Sequence, residues 1–245
     1  FRPKFQHMTS VDGYAKVDLQ LVEQLKAIVG EQYVFIDEES LSKYAHDETE
    51  NLHFPPEVVV KPRTADEISA IMKLCNEKLI PVTPRGAGTG LAGAALADKG
   101  GVLLSTERLN SILNIDERNH QVITEPGVIT EVLMEEVKKR GLFYPPDPSS
   151  RGSCFIGGNI SANSGGPKAV KYGVVRDYVL NLEVVLPNGE VIWTGANVLK
   201  YSTGYNLTHL IVGSEGTLGI VTKIVLRLIP LPKYDLLMLV PFKNL

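Results

Sequence analysis

Apolar Leu19, Leu21, Val22, Leu25, Ile28 and Val29 recur at helical spacing and predict an amphipathic helix over residues 18–29. Val58, Val59 and Val60 read as a short buried strand. Thr64-Ala65-Asp66-Glu67 is a capping box, predicting a helix to about Lys78 with Ile68, Ile71, Met72, Cys75 and Leu79 on one face. Ile80–Thr83 predicts the next strand, completing a βαβ-like unit that ends in a glycine-rich loop. Further strands are expected at Val102–Ser105, Ile112–Ile115 and Gln121–Glu125. A helix over 131–140 closes with Lys138, Lys139 and Arg140 in its last turn and Gly141 after it. Tyr144–Ser153 reads as a polar, proline-rich loop. Asn188-Gly189, between Val179–Leu186 and Val191–Trp193, predicts a hairpin with a type I′ turn. From Ile220 to Leu228 apolar and mixed positions alternate along one strand, which Pro230 and Pro232 are expected to end.

Composition changes this picture mainly by exclusion. With 245 residues and 44% hydrophobic content the chain buries a sizeable core. A formal charge of −3 argues against nucleic acid as a partner, because such binding rests on lysine and arginine meeting phosphates. No stretch approaches the roughly 20 apolar residues needed to cross a bilayer, and the first twenty residues lack the apolar centre of a signal peptide. Residues 1–17, with Met8 after Phe1–His7, read as a tag or flexible N-terminus. Cys75 and Cys154 are expected to be reduced thiols of a cytoplasmic protein, and His7, His46, His53, His120 and His209 show no metal spacing.

The glycines carry the chemistry. Sixteen of the 22 fall within 86–101, 152–173 and 204–219. Glycine is needed where the backbone takes positive φ or comes close to a ligand, so three such clusters point to one large phosphate-bearing ligand. Gly88, Gly90 and Gly93 form a literal G-x-G-x-x-G, but Asp98-Lys99-Gly100-Gly101 breaks the chain before a long helix can follow. That rejects a nicotinamide Rossmann site, and the missing Gly-Lys-Ser/Thr rejects a P-loop. What remains is a nest of backbone N–H groups for a pyrophosphate, with the Thr89 hydroxyl nearby. Arg85 adds charge there or anchors the loop; both readings stand. Glu215 caps its turn or bonds a ribose or base.

In this order the motifs Pro84–Gly93, Asp147–Ser150, Ile156–Gly166, Lys171–Gly173, Lys200…Thr203-Gly204-Tyr205 and Gly213–Val221 closely resemble the FAD-binding domain of the vanillyl-alcohol oxidase / p-cresol methylhydroxylase (PCMH-type) superfamily. Within it, the likeness is greatest to the glycolate oxidase flavin subunit and to the D-lactate and D-2-hydroxyglutarate dehydrogenases. The resemblance implies an α+β, two-lobed FAD-binding domain lacking its C-terminal cap. The lobes would be 18–118, with its N-terminal helices, and 119–232, and 233–245 would begin the link to a substrate domain. Carried over motif by motif, Pro84, Arg85, Gly86, Ala87, Gly88, Thr89 and Gly90 would hold the pyrophosphate. Pro146, Asp147, Ser149 and Ser150 would border the isoalloxazine with Gly157, Gly158, Asn159, Ser161 and Ala162. Gly216, Gly219, Ile220 and Val221 would complete the nucleotide and flavin contacts. Thr89 stands where covalent relatives often use histidine, so FAD is expected to be non-covalent. Two departures are Ala94, where many relatives have glycine, and Asn206, where aspartate is usual.

The implied function is the FAD-binding portion of a flavin-dependent 2-hydroxy acid oxidoreductase, with hydride passing from the α-carbon to flavin N5. Lys200 and Tyr205 are candidates to face the flavin without being catalytic, and catalytic residues are expected in the cap, leaving this portion inactive alone. Iron–sulfur or other electron-transfer subunits, and peripheral attachment to the inner membrane, stay open as partners and place. Two alternatives stay open as well: a flavoenzyme like UDP-N-acetylenolpyruvoylglucosamine reductase, and a non-catalytic FAD-binding subunit.

Overall fold

The structure is a computed structural model and describes residues 13–236 and 238–242; the N-terminal tag reading therefore lies largely outside the described residues. Helix α1 (Leu19–Val29) starts at Asp18, whose carboxylate accepts the Leu21 N–H at 2.7 Å, and buries Leu21, Val22, Leu25 and Val29. Strand β1 (Val34–Phe35) and helix α2 (Glu38–Lys43), neither foreseen, precede β2 (Val58–Val60). Helix α3 (Ala65–Glu77) is capped by Thr64, which accepts the Glu67 N–H at 3.1 Å. The Glu67 carboxylate reaches one residue further back than a capping box requires, to the Arg63 N–H at 2.6 Å. Strand β3 (Val82–Arg85) starts later than the hydrophobic pattern predicts. Pro81 has no N–H and contributes only its carbonyl, to Val102 at 2.9 Å. With β4 (Val102–Ser105) these strands form a sheet in the order β1-β2-β4-β3, in which β2 and β3 both run parallel to β4.

The chain then enters a second sheet through β5 (Ile112–Asp116) and β6 (Gln121–Thr124). Helix α4 (Thr130–Lys138), strand β7 (Leu142–Phe143), and helices α5 (Ile156–Ala162) and α6 (Ala169–Tyr172) follow. Strands β8 (Val179–Val185) and β9 (Val191–Trp193), helix α7 (Leu207–Ile211), and strands β10 (Ile220–Arg227) and β11 (Ile229–Pro230) complete the fold. Five strands make an antiparallel sheet in the order β5-β6-β10-β8-β9, with β10 at its centre and buried on both faces.

One expectation needs correcting. The β8–β9 connection is not a type I′ turn: Gly189 has φ +81° but Asn188 is not among the positive-φ residues. Pro187 shifts the turn back one residue, so that Leu186 C=O accepts the Gly189 N–H (2.8 Å) and Leu186 N–H meets Glu190 C=O (2.8 Å), a three-residue loop. Strand β10 ends at Arg227, ahead of Pro230, and Ile229–Pro230 then lies antiparallel to β7, at an edge where the missing proline N–H costs no ladder bond. Residues 156–162 are helical despite two glycines.

Two cores result. One packs Leu133, Tyr144, Ile156, Ile160 and Leu182 against β10. The other packs α1 and α3 on the first sheet, and Val185 and Ile220 of the second sheet belong to it. Helix α3 also ties the sheets directly, since Ser69 Oγ donates to Gly189 C=O at 2.5 Å. Both cysteines are buried and unpaired. No helix among the described residues is long and apolar enough to cross a membrane.

Candidate functional site

The loop after β3, the start of α5 and the turn before β10 converge on one cleft. It is lined by Pro84, Arg85, Gly86, Ala87, Gly88, Thr89 and Gly90, by Ser150, Gly157, Gly158, Asn159, Ser161 and Ala162, and by Gly216, Gly219, Ile220 and Val221. The three glycine clusters, far apart in sequence, thus face one space. Pro146, Asp147 and Ser149 do not line it. Pro146 and Asp147 are buried and Ser149 is exposed. Asp147 is engaged by Lys168, through the backbone N–H at 3.2 Å and the ammonium at 3.5 Å.

Beneath the first loop Arg85 is 7% exposed. Its guanidinium donates to the carbonyls of His46 (2.8 Å), Tyr44 (3.4 Å) and Ala95 (3.4 Å). Burial pulls its pKa below the usual arginine range, with the charge of Asp47 opposing. Arg85 therefore anchors the loop, while also lining the cleft. Gly88 has φ +71°, and a Cβ there would run into that guanidinium. Among the described residues none of the N–H groups of Ala87, Gly88, Thr89 and Gly90 donates to a protein acceptor, and the Thr89 hydroxyl has no partner.

Helix α5 is fixed by tertiary contacts. Ile156 and Ile160, four residues apart, enter the core, and the Ile156 and Gly157 N–H groups donate to Val128 C=O (2.9 Å) and Pro126 C=O (2.8 Å). A Cβ on Gly157 would come within 2.5 Å of Pro126, whereas one on Gly158 would meet nothing within 4 Å. Gly157 thus lets the helix pack, and Gly158 leaves bare backbone facing the cleft. The Asn159 amide is already committed, donating to Thr130 Oγ1 at 2.5 Å. The turn before β10 hangs on the same helix through Gly213 N–H to Ile160 C=O (3.0 Å) and Glu215 N–H to Ser161 C=O (2.9 Å). Glu215 is exposed at φ +53°, and its carboxylate makes no capping bond among the described residues.

Sequence reasoning missed the segment 44–54, which clasps the first loop. Glu48 N–H donates to Gly90 C=O (3.1 Å), Gly93 N–H to Thr49 Oγ1 (2.9 Å) and Phe54 N–H to Ala45 C=O (2.7 Å). Asp47 lines the cleft from this segment. A polar run from His46 to Asn51 carries no glycine signal and reads as solvated loop. Below it, Glu107 gathers Tyr44 Oη (2.7 Å), Lys61 Nζ (2.8 Å) and Ser105 Oγ (2.9 Å). Burial pushes the Glu107 pKa up, but the bonds from Lys61 and Tyr44 and the Lys61 charge outweigh it and hold the carboxyl below its usual range.

Lys200 and Tyr205 are exposed and outside the cleft lining. Asn206 accepts the His209 N–H at 2.9 Å as the N-cap of α7, a role asparagine fills as well as aspartate. Cys154 lines the cleft with its Sγ 3.3 Å from Thr130 Oγ1.

A cleft with unsatisfied N–H groups on one wall and open glycine backbone on another fits a diphosphate carrying a flat ring system. The family model described as "FAD binding domain" matches residues 56–195. The chain is 44% identical over 233 residues to D-lactate dehydrogenase of Anaerostipes hadrus, covering 95% of this chain and 49% of that protein. It is 48% identical over 202 residues to glycolate oxidase subunit GlcD of Bacillus subtilis, covering 82% and 43%. The chain thus spans about half the length of these relatives. The solved structure of alkyldihydroxyacetonephosphate synthase shares the fold, at TM-score 0.78, 24% identity, and 89% and 45% coverage. The chain belongs to the FAD-binding domain family, in its PCMH-type α+β form, and its cofactor is FAD.

Proposed function

We propose that FAD lies in this cleft without a covalent bond, and that the whole protein is a flavin-dependent dehydrogenase or oxidase of a small 2-hydroxy acid of the D-lactate or glycolate kind. The observation that carries the placement is the run of N–H groups from Ala87 to Gly90 without a protein acceptor among the described residues, in a cleft that the bare backbone of Gly158 also lines. The names of the relatives support the substrate class. When bound, FAD supplies the two-electron acceptor at its flavin ring. The chain's own residues bind and orient it. The N–H groups of Ala87–Gly90 and the Thr89 hydroxyl hydrogen-bond the diphosphate, Gly158 lets the ring system approach α5, and Ile220 and Val221 border it from β10. The two FAD-holding lobes are read as 18–118 and 119–232, a reading supported by the first sheet and the antiparallel sheet on either side of the cleft. The name of the glycolate oxidase subunit among the relatives supports an assembly with partner subunits.

No histidine lines the cleft among the described residues, and Cys154 is turned to Thr130, so acid precipitation is expected to release the flavin into the supernatant. Yellow protein after that treatment would overturn the non-covalent reading. The placement is tested with Gly158→Leu in the full-length protein. A leucine there fits the fold, since its Cβ meets nothing, but fills the cleft. The variant is expected to keep its far-ultraviolet spectrum and melting temperature without FAD and to lose the two-band flavin absorption. Retained flavin at wild-type affinity would reject the cleft as the site. Dye reduction by D-lactate and glycolate, measured side by side, tests the substrate class.

A further inference from the structure

Asp47 holds an oxygen that the fold leaves without a partner. The residue is 8% exposed and lines the cleft. Its Oδ1 accepts the Thr49 N–H at 2.9 Å, while Oδ2 is fully buried and has no hydrogen-bond partner. Oδ2 lies beside the end of the first loop, 3.9 Å from where a Cβ on Gly90 would stand. Arg85 feels the Asp47 charge, but its hydrogen bonds go to three carbonyls and none reaches Asp47. A buried carboxylate oxygen without a donor is costly, and the group that ends the cost must bring a proton. A phosphate brings none and would repel the carboxylate. Within a ligand held by its diphosphate at Ala87–Gly90, the hydrogen-bond donors nearest along the chain are the hydroxyls of its sugars, a few bonds beyond the phosphorus.

We propose that Asp47 is a cofactor-binding residue whose Oδ2 accepts a hydrogen bond from a sugar hydroxyl of FAD, on the ribityl chain or the adenosine ribose. The inference rests on FAD occupying this cleft. It makes Asp47 a selector for the hydroxylated part of the cofactor, while the glycine loop selects the diphosphate. The segment 44–54 is then part of the site, and the clasp bonds from Glu48 to Gly90 and from Gly93 to Thr49 fix the distance between the two determinants.

The test is a binding cycle in the full-length apoprotein, read by flavin fluorescence. Wild type, Asp47→Ala and the isosteric Asp47→Asn are each titrated with FAD, with FAD lacking the ribityl 2′-, 3′- or 4′-hydroxyl, and with FAD lacking the ribose 2′-hydroxyl or 3′-hydroxyl. A charge-assisted bond predicts that Asp47→Ala weakens FAD by about tenfold or more. One of the deoxy cofactors should bind wild type more weakly by a similar factor, and that difference should vanish in Asp47→Ala. Which analogue does so identifies the sugar. A residue that only balances Arg85 would weaken all the cofactors equally and leave every ratio unchanged, and that result overturns the proposal, as does wild-type FAD affinity in Asp47→Ala. Asp47→Asn keeps the side-chain volume, so a similar melting temperature separates lost binding from lost folding. Gly158→Leu distinguishes the two levels. If it still binds FAD the cleft itself is wrong; if it does not while Asp47 variants behave as wild type, only the role of Asp47 fails.

Discussion

At the scale of single residues, this fold spends several buried polar groups on holding backbone and leaves a few unsatisfied. Arg85 turns a cationic side chain at the start of the first glycine-rich loop into the loop's foundation, and its three carbonyl partners come from segments that no local pattern connects to it. The sequence placed Arg85 at the site but left its role divided, because a guanidinium can serve a ligand or a carbonyl equally well. Tyr144 shows the opposite economy. Its hydroxyl is fully buried with no partner, and burial pushes its pKa far up. Its ring packs edge-on against Tyr178 at 6.0 Å, a contact that phenylalanine reproduces. Removing an unsatisfied buried hydroxyl regains its desolvation cost, about 1 kcal/mol. Tyr144→Phe is therefore expected to leave the melting temperature unchanged or raise it by about 2–4 °C, as scanning calorimetry would show. A drop of several degrees would mean that the hydroxyl has a partner, such as a bound water.

At the scale of elements, legibility followed the source of each element's stability. Helix α3 was readable because its start, Thr64 to Glu67, and its apolar face are both local. Helix α5 was not, since Gly157 and Gly158 give it poor intrinsic propensity and its N–H groups are satisfied by Pro126 and Val128, outside the window. The one local trace was the pair Ile156 and Ile160 at i and i+4. The hairpin turn failed by one residue because Pro187 competes with Asn188-Gly189 for the corner. The clasp 44–54 depends on a comparable long-range device. Glu107 at the end of β4 draws in Tyr44 and Lys61, so the end of α2 and the exit of β2 meet at one carboxylate. A carboxyl whose pKa is lowered by folding contributes stability above its unfolded value and loses it as pH falls through the folded one. The stability gap between wild type and Glu107→Gln should thus be present at pH 7 and shrink as the pH drops below the ordinary glutamate value of 4.5. Urea midpoints across that range measure it. A gap that widened in acid would show that Glu107 is not the ionised centre of this cluster.

At the scale of the whole molecule, the order of the three glycine clusters gave the fold, while their convergence required both sheets. The first cluster leaves β3 of the parallel sheet, the second begins α5, and the third enters β10, the centre of the antiparallel sheet. Helix α3 and the shared packing of Val185 and Ile220 hold the sheets in register, so a ligand in the cleft touches parts of the chain that meet only when both are folded. FAD at 100 times its dissociation constant adds about 2.7 kcal/mol to stability through mass action alone. That gain is spread over the molecule, but the hydrogen-exchange pattern need not be. Amides 87–90 donate to no protein acceptor among the described residues, so they should exchange quickly without FAD and slow sharply with it. Gly158 and the turn 213–217 should slow at the same FAD concentration, because one ligand spans all three. Protection confined to the first loop would indicate that only the diphosphate is held here, and would move the flavin ring out of this cleft. Joint protection, saturating with the rise of the bound-flavin spectrum, is the outcome expected of a single site built from both sheets.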